Sequence, residues 1–412
     1  MKVLFIHQTF PGQFGHAARC LAGSGHEVTA IRQAGGASIS GIRRIDYSPL
    51  WDSHAGLQPA REFEEASLNG LAVAQTCERL KASGFVPDLV IGHCGWGETL
   101  FVKDVWPKAP VLGYFEFYYR ARDGDADFDP EFAIPQEDQR LLRLRNAVNW
   151  LALEASDWGQ TPTRWQFSRY PATFRRRMTV AHEGVDTALI KPNADARVWL
   201  AGGVSLGAGD EVITYCARNL EPYRGFHVFM RALPRILARA PRARALIVGG
   251  DGVSYGKPPE GLGSWREKLL AEVGSDLDLS RVHFLGAVPF AVYLSILQLS
   301  SAHVYLTYPF VLSWSLVEAL SAGCYVIASN TPPVREVLRD GVNGRLFDFF
   351  AVEELADHVL EALEKPAKTL AARRAARQSA IRAFDLLTVC LPRQMSIWES
   401  LVGERLLKPN VK

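Results

Sequence analysis

Short apolar runs recur along the chain, and segments of helical length separate most of them. The first half contains KVLFIH, HEVTAIR, DLVIGH and PVLGYFEF, and the second half contains VITYCAR, ALIVGG, VHFLG, AHVYLTYP and CYVIAS. Because polar residues do not alternate with apolar ones in these runs, they are typical of strands buried on both faces of a parallel sheet. The alternation of strands and helices predicts an α/β fold of doubly wound type.

The strand-helix pattern occurs twice, over roughly residues 1–185 and 210–350, around a stretch rich in Gly, Pro and Asp. This repetition predicts two Rossmann-like domains, which suits a length of 412 residues. We place the first domain at 1–190, the second at 191–385, and a final helical tail at 386–412. Ligands of such sheets bind beyond the carboxyl ends of the strands. Two domains facing a cleft would therefore present the residues that follow each apolar run.

Composition and charge narrow the function. The net charge of +2 gives no strong field for nucleic acid, so no nucleic-acid partner is expected. No apolar run approaches the ~20 residues of a membrane helix, and the first residues read as a strand. We expect a cytoplasmic protein that touches the inner face of a membrane at most peripherally. Six scattered cysteines indicate a reducing compartment: Cys20, Cys77, Cys94, Cys216, Cys324 and Cys390.

Polar or small residues follow the first strands. Gly12 and Gly15 bracket a turn before a helix, where backbone N–H groups could meet an anion or a sugar hydroxyl, although glycine also serves packing there. His93 ends the run DLVIG, where imidazole could position a substrate or hold a proton. The alternative for His93 is a histidine satisfied within the core. Its place at a strand end favours the functional interpretation.

Two arginines follow the strand VITYCA. Arg218 comes directly after it, and Arg224 precedes Gly225 and a predicted helix. Guanidinium groups match phosphate oxygens and stay charged at any relevant pH, so the pair predicts an anion clamp rather than two surface arginines. Gly250 has no side chain at the end of the next strand, so a ligand could approach the backbone there.

Glu318 stands alone in the stretch YPFVLSWSLVEALSAG. Ser315 and Glu318 fit the S-x-x-E capping box, in which the glutamate caps its own helix. The alternative is a carboxylate that accepts hydrogen bonds from a vicinal diol, such as a ribose. The helix N-terminus beside it would favour a diphosphate.

Two further stretches carry many charges. Residues 122–131 hold acids at 123, 125, 127 and 129 but lack the glycine and glutamate of a calcium loop, so we expect a solvated or acceptor-side loop and no metal site. Residues 169–178 are basic and aromatic; we expect a solvated face, with contact to anionic lipid as the alternative.

These motifs resemble the retaining GT-B glycosyltransferases of family GT4. The resemblance covers nearly the whole chain and is carried by FPGQFGH, GHCGWGE, EGVDT, ARNLEPYRG, VGGDG, VHFLG and SLVEALSAGCYVIASNTPPVREVLRDGVNGRLF. It implies an acceptor-side first domain, a donor-binding second domain and a C-terminal helix that crosses back to the first. It also implies sugar transfer from a nucleotide-diphosphate sugar to an acceptor hydroxyl, with retained configuration and no metal or other cofactor, in glycan or glycoconjugate assembly.

The resemblance assigns roles residue by residue. Glu318 would bind the nucleotide ribose, and Arg218 and Arg224 would hold the donor diphosphate. His93 would lie near the donor sugar and acceptor, while Gly12 and Gly15 would form the N-terminal glycine loop. We expect a UDP-sugar in preference to a GDP-sugar, and a carbohydrate, lipid-linked or small-molecule acceptor.

The chain departs from the family at Phe310, where the first acid of the E-x7-E motif should stand. Donor-sugar recognition would then fall to Phe310 and to residues of the following turn and helix start, namely Leu312, Ser313, Trp314 and Ser315. Alternatively, the Phe310 ring is turned into the core. The missing acid also leaves open a non-catalytic sugar-nucleotide binder, or a GT-B enzyme of other chemistry such as an epimerase or a phosphorylase.

Overall fold

The structure is a computed structural model that describes residues 1–36, 38–50, 61–135, 139–261 and 263–406. Contacts divide the chain into two compact units. Unit 1 consists of Met1–Asp127, Ala133–Gly184 and Leu387–Lys412, and unit 2 consists of Phe128–Phe132 and Val185–Leu386. Residues 128–132 therefore pack with unit 2, although the sequence places them inside the first domain.

Unit 1 is built on a seven-stranded sheet in the order β3-β2-β1-β4-β5-β6-β7, and every adjacent pair is parallel. The interior strand β1 is almost wholly buried, as its uninterrupted apolar run predicts. In chain order the strands are β1 (Lys2–Ile6), β2 (Glu27–Gln33), β3 (Ile42–Tyr47), β4 (Leu89–His93), β5 (Val111–Tyr114), β6 (Trp158–Thr161) and β7 (Met178–Val180).

Helices of unit 1 connect these strands, and the last one comes from the C-terminal part of the chain. Trp398 in that helix is fully buried; its ring lies 6.1 Å from Phe5, and its Nε1 donates a hydrogen bond to Gln160 Oε1 (3.2 Å). With numbering that follows the chain, the helices are α1 (Gly15–Gly23), α2 (Arg61–Ala82), α3 (Val102–Val105), α4 (Leu141–Glu154), α5 (Arg164–Arg169), α6 (Ala172–Arg175) and α14 (Leu391–Val402).

Unit 2 contains a six-stranded parallel sheet in the order β12-β11-β10-β13-β14-β15, and a separate antiparallel pair, β8-β9. Both large sheets have the doubly wound arrangement that the sequence predicts. The strands are β8 (Arg197–Trp199), β9 (Ser205–Gly207), β10 (Val212–Asn219), β11 (Arg244–Gly250), β12 (Val282–Gly286), β13 (Ala302–Tyr305), β14 (Val326–Ser329) and β15 (Arg345–Phe347).

The helices of unit 2 cover its sheet, and a π-helical turn, Leu386–Cys390, leads from the last of them into α14. No helix among the described residues has both the length and the apolar character needed to cross a bilayer. The helices are α7 (Phe226–Arg239), α8 (Trp265–Val273), α9 (Phe290–Leu299), α10 (Trp314–Ala322), α11 (Pro332–Arg335), α12 (Val352–Glu364) and α13 (Pro366–Phe384).

One strand is shorter than its apolar run predicts. The run AHVYLTYP suggests a strand that continues to Pro309, but β13 ends at Tyr305. Residues 306–313 form an irregular turn before α10, although most of them are buried. The turn is apolar because it packs inside unit 2, so hydrophobicity alone could not separate it from strand.

Candidate functional site

Arg224 lies beyond the carboxyl end of β10, in a short 3₁₀ turn, Pro222–Arg224, that leads into α7. Gly225 follows in the left-handed region (φ 66°), and a Cβ there would come within 2.4 Å of the Leu306 side chain. Glycine is therefore required at this position both for its backbone conformation and for the close approach of the turn after β13. The same tight junction places the Arg224 side chain against the 306–313 turn.

The Arg224 guanidinium is buried, at 8% exposure, and its partners are uncharged. Nη1 donates to Thr307 Oγ1 (2.7 Å) and to the Val311 carbonyl (3.1 Å), and the group lies 5.1 Å from the centre of the Tyr255 ring. Among the described residues, no Asp or Glu side chain lies within ion-pair distance of it. A buried cation without a carboxylate keeps its full attraction for an external anion.

Glu221 shapes the loop that carries Tyr255. Its fully buried carboxylate accepts three backbone N–H groups, from Ser254 (3.0 Å), Tyr255 (3.1 Å) and Gly256 (2.9 Å). These three hydrogen bonds fix the loop after β11 against the 3₁₀ turn that contains Arg224. The sequence analysis did not identify Glu221. Its position two residues after the end of β10, among the residues that follow a strand, is a signal that could have identified it.

Arg218 and Gly250 lie at neighbouring strand ends. Arg218 is exposed and makes no hydrogen bond or ion pair with the rest of the described chain. The next residue, Asn219, pairs with Gly250 across β10 and β11, and a Cβ on Gly250 would lie 2.7 Å from Asn219 Oδ1. Gly250 is thus required for packing against Asn219, while Arg218 is free to reach a ligand.

Phe310 is 6% exposed and belongs to an aromatic cluster around Arg224. Its ring stands edge-on to Tyr223 (5.5 Å) and Tyr255 (5.0 Å), and Tyr223 packs on Tyr308 at 4.7 Å. The ring therefore occupies the buried position that was one of its two alternatives.

The predicted capping box at the start of α10 is wrong. The helix begins at Trp314 with Ser313 as N-cap, and the Ser313 hydroxyl accepts the Ser315 N–H (3.3 Å). Ser315 is already inside the helix, so Glu318 lies too far along to cap it. Instead, Glu318 Oε2 accepts a hydrogen bond from the Tyr293 hydroxyl of α9 (2.7 Å).

Glu318 is half-buried, and desolvation raises the pKa of its carboxyl group while the Tyr293 hydrogen bond lowers it. The tyrosine holds one oxygen and orients the carboxylate, an arrangement suited to a group that binds a ligand hydroxyl.

The start of α10 offers both backbone and side-chain groups. Leu312 is buried, Ser313 and Ser315 are half-buried, and Trp314 is 41% exposed. The two serine hydroxyls lie 2.9 Å apart, and the Ser313 N–H donates to the Tyr305 hydroxyl (3.0 Å). Capping fixes the first turn of a nine-residue helix, whose N-terminus favours negative charge.

In unit 1, His93 ends β4 and is 1% exposed. Its Nδ1 accepts the Gly95 N–H (3.1 Å), so the proton lies on Nε2, which is 3.5 Å from Glu116 Oε2. The ring stacks on Trp96, with centroids 4.0 Å apart. His93 Nε2 makes no hydrogen bond of good geometry within the described residues, and it points toward the half-exposed Glu116.

Glu116 joins His93 to a second histidine. Gln13 Nε2 donates to Glu116 Oε1 (3.2 Å), and Gln13 Oε1 lies 2.6 Å from His7 Nε2. Desolvation raises the pKa of Glu116, but its contacts with His93, His7 and Gln13 outweigh this, and the net pKa is lowered. Burial lowers the pKa of His7 to about 3, so His7 stays neutral. We call His7, Gln13, His93 and Glu116 the unit 1 network.

The glycines of the N-terminal loop make room for packing around the unit 1 network rather than for a ligand at the backbone. Gly12 has φ 43°, and a Cβ there would overlap the His7 ring at 2.2 Å. Gly15 is the first residue of α1, and its Cβ would lie 3.1 Å from Pro11. Gly12 therefore lets the His7 ring approach, which favours its packing alternative.

Glu98 lies five residues after His93 and is fully buried. Oε1 accepts the Tyr47 hydroxyl (2.9 Å), and Oε2 has no partner among the described residues. Desolvation raises the pKa of this carboxyl to about 7. The sequence analysis did not single it out.

The two charged stretches are only partly solvated. In residues 122–131, the acids at 123 and 127 are exposed, but Asp125 and Asp129 are buried, so the expected solvated loop is wrong for these two. In residues 169–178, the aromatic rings of Tyr170 and Phe174 are buried, whereas Arg175 and Arg176 are exposed. The described residues contain no group of three or more His, Cys, Asp or Glu side chains arranged to hold a metal ion.

Two family models match consecutive parts of the chain. The Glycosyl transferase family 4 group matches residues 24–190, and the Glycosyl transferases group 1 matches residues 204–379. Together they cover most of the chain, which belongs to the group 1 glycosyltransferases of family 4.

Individual relatives agree with this assignment. A phosphatidyl-myo-inositol mannosyltransferase of Mycobacterium tuberculosis is 31% identical over 202 residues, which cover 47% of this chain and 48% of that protein. The chain thus matches about half the length of this relative. The sucrose-phosphate synthase of Thermosynechococcus elongatus has a TM-score of 0.73 at 16% identity, over 98% of this chain and all of that one. Anabaena HepE in complex with UDP and glucose has a TM-score of 0.65 at 19% identity, over 98% of this chain and 100% of that one. These structures show that the fold is GT-B, as predicted.

Proposed function

We propose that this protein is a retaining glycosyltransferase that moves a sugar from a nucleotide-diphosphate sugar to an acceptor hydroxyl in glycan or glycoconjugate assembly. The observation that carries the proposal is the buried Arg224 guanidinium, which has only neutral partners at the end of β10. Such a buried cation is stabilised when a bound anion compensates its charge. In a family 4 fold, the donor diphosphate supplies that anion.

The transfer step follows from these charges. The bond between the anomeric carbon and the diphosphate oxygen breaks, and its electron pair stays on the diphosphate. Arg224, the exposed Arg218 and the N-terminus of α10 stabilise the growing charge without a metal ion. The acceptor oxygen bonds to the anomeric carbon on the face the diphosphate leaves, and its proton passes to a diphosphate oxygen. The configuration is thereby retained.

Glu318 is assigned to the nucleotide ribose. Tyr293 holds one carboxylate oxygen, which orients the other for a hydroxyl donor. A UDP-sugar is the proposed donor, supported by the likeness to a GT-B protein whose structure contains UDP and glucose.

The unit 1 network is assigned to the acceptor. A hydroxyl group could donate to Glu116 Oε2 and accept from His93 Nε2, which lie 3.5 Å apart without a good hydrogen bond between them. The relative that acts on phosphatidyl-myo-inositol makes a lipid-linked acceptor one candidate. Exposed Arg175 and Arg176 would support peripheral contact with an anionic membrane from the cytoplasm.

The deciding experiment is incubation of the wild-type protein with UDP-, GDP- and ADP-sugars while nucleotide release is measured, with and without polyol, glycan and lipid-linked acceptors. Acceptor-stimulated release of one nucleotide supports the proposal. Nucleotide binding without release would instead support a non-catalytic binder. The packing of Phe310 favours that second candidate, because the ring leaves no carboxylate at this position.

A further inference from the structure

We propose that Asp129 is a positioning residue that fixes Arg224 for binding the donor diphosphate, acting through Tyr308 and His227. The inference rests on the proposed function and adds a residue from a part of the sequence far from the donor-binding motifs. Asp129 lies in Phe128–Phe132, a short segment that packs with unit 2 although the chain on both sides of it belongs to unit 1.

Aromatic contacts anchor this segment in unit 2. The Phe128 ring lies 5.2 Å from Tyr308 and 5.1 Å from Phe349. At the other end, the Phe132 ring lies 5.0 Å from Trp265 and 5.2 Å from His227. The backbone of Asp129 is therefore held on both sides.

The Asp129 carboxylate is 2% exposed and satisfied by three donors. Oδ2 accepts the Tyr308 hydroxyl (2.6 Å) and faces His227 Nε2 (3.2 Å), while Oδ1 accepts the Glu131 N–H (3.0 Å). Desolvation raises the pKa of Asp129, but these hydrogen bonds outweigh it and lower the net pKa. The group is thus a buried carboxylate that links two other segments of unit 2.

Both linked segments hold Arg224. Tyr308 directly follows Thr307, whose hydroxyl accepts from the guanidinium, and the Tyr308 N–H donates to the Tyr223 carbonyl (3.1 Å) next to Arg224. His227 lies in the first turn of α7, three residues after Arg224. Asp129 Oδ2 therefore connects the 306–313 turn, which receives the guanidinium, to α7, the helix that follows Arg224.

Asp129→Asn keeps the shape of the side chain but removes this double acceptor. An amide can accept at only one of the two oxygen positions, so its NH₂ must face either the Glu131 N–H or the donors of Tyr308 and His227. The turn and the helix would then separate slightly, and Arg224 would lose its alignment. A misplacement of about 1 Å in a catalytic site can cost about 10²-fold in rate.

The test measures the affinities of UDP and UMP by calorimetry in wild type, Asp129→Asn and Tyr308→Phe. Because Arg224 is assigned to the diphosphate, both variants should weaken UDP binding by about tenfold, or ~1.4 kcal/mol, and change UMP affinity by less than about twofold. Tyr308→Phe removes only the hydroxyl, so it reports the contact if Asp129→Asn does not fold. In an Arg224→Ala background, Asp129→Asn should have no further effect on UDP binding.

Glu131→Gln is the matched control. Glu131 belongs to the same segment, but its side chain pairs with Arg231 at 2.7 Å, and no hydrogen bond or ion pair in the described structure joins that side chain to Tyr308 or Arg224. It should leave the UDP to UMP affinity ratio unchanged. An unchanged ratio in folded Asp129→Asn and Tyr308→Phe, or an undiminished effect in the Arg224→Ala background, would overturn the positioning role. Failure of the wild type to bind UDP, GDP or ADP would reject the proposed function itself.

Discussion

The candidate site residues of unit 1 and those of unit 2 are each centred on one charged group, a carboxylate in unit 1 and a guanidinium in unit 2. In the unit 1 network, the half-exposed Glu116 carboxylate is surrounded by hydrogen-bond donors of the same network: Gln13 and the imidazole of His93. In unit 2, the Arg224 guanidinium is buried against a hydroxyl, a carbonyl and an aromatic ring, with no described carboxylate beside it.

This difference indicates what each region is suited to bind. A carboxylate beside an imidazole N–H offers both an acceptor and a donor, which suits a neutral hydroxyl group that can donate and accept. A buried cation with neutral partners attracts an anion, because no carboxylate among the described residues pairs with it. The comparison therefore distinguishes the proposed hydroxyl site from the proposed phosphate site, and the following substitutions can break or sharpen it.

The largest effect is expected from Arg224→Ala. Loss of a charge contact to a leaving group costs about 2–4 kcal/mol of transition-state stabilisation, so turnover should fall at least about tenfold. Steady-state kinetics with the active donor measure this. Arg218→Ala should reduce turnover less, because Arg218 is exposed and screened by solvent.

Arg242→Ala is the matched control, since that arginine is 84% exposed and pairs with Glu211 at the amino ends of β11 and β10, opposite to the carboxyl ends where Arg224 lies. If Arg224→Ala retains wild-type turnover in a folded protein, the phosphate site is not where we place it.

The second effect concerns Glu98 in unit 1 and is measured as stability. The pKa of Glu98 in the fold is about 7, above its ordinary value of 4.5. The folded state then binds more protons than the unfolded state between these values, so stability is highest at low pH and falls as pH rises through 7. The loss should reach about 3 kcal/mol by pH 8.

Glu98→Gln should abolish that loss, because a neutral amide cannot be deprotonated. Denaturant titrations at pH 5 and pH 8 check this: the difference in unfolding free energy should shrink in the variant. An equally large pH dependence in both proteins would show that another group is responsible.

Glu318→Gln comes third. If the carboxylate binds ribose, its loss should weaken UDP binding by about 1–3 kcal/mol, because charge-assisted hydrogen bonds are removed. Calorimetric titration with UDP measures it. Tyr293→Phe should weaken UDP binding less, because it removes only the hydrogen bond that holds Glu318 Oε2 and leaves the carboxylate in place. Wild-type affinity in a folded Glu318→Gln variant would limit Glu318 to its contact with Tyr293.

Glu116→Gln should have the smallest effect, and this effect should appear in acceptor binding and not in nucleotide binding. A hydroxyl that donates to Glu116 would lose about 0.5–1.5 kcal/mol, so the acceptor KM should rise about two- to tenfold. UDP affinity should not change, which distinguishes this variant from those of unit 2. A fall in UDP affinity with an unaltered acceptor KM would reverse the assignment of the two regions.

The sequence predicts strands and strand ends well, because buried parallel strands are continuous apolar runs. His93, Arg218, Gly250 and the start of α7 all lie at the predicted ends. The turn at 306–313 was read as strand, since it is apolar for the same reason that strands are: it is buried. Sequence patterns report burial there and not backbone geometry.

The partners of the candidate residues could not be predicted in the same way. Thr307 and Tyr255 meet Arg224 from segments 83 and 31 residues away, and Gln13 meets Glu116 across 103 residues. Such contacts depend on which strand ends become neighbours, and no local periodicity encodes that. The capping box failed for a related reason: Ser313 and Ser315 are both good N-cap residues, and the Tyr305 hydroxyl holds the backbone at Ser313.

The discontinuity of unit 1 sets an order of events during synthesis. Its strand β1 is made almost 400 residues before Trp398, which fills the core beside Phe5. Unit 2 has its segments complete by Leu386. On a translating ribosome, unit 2 can therefore finish folding first, while unit 1 waits with an incomplete core, which reverses the usual N-terminal-first sequence.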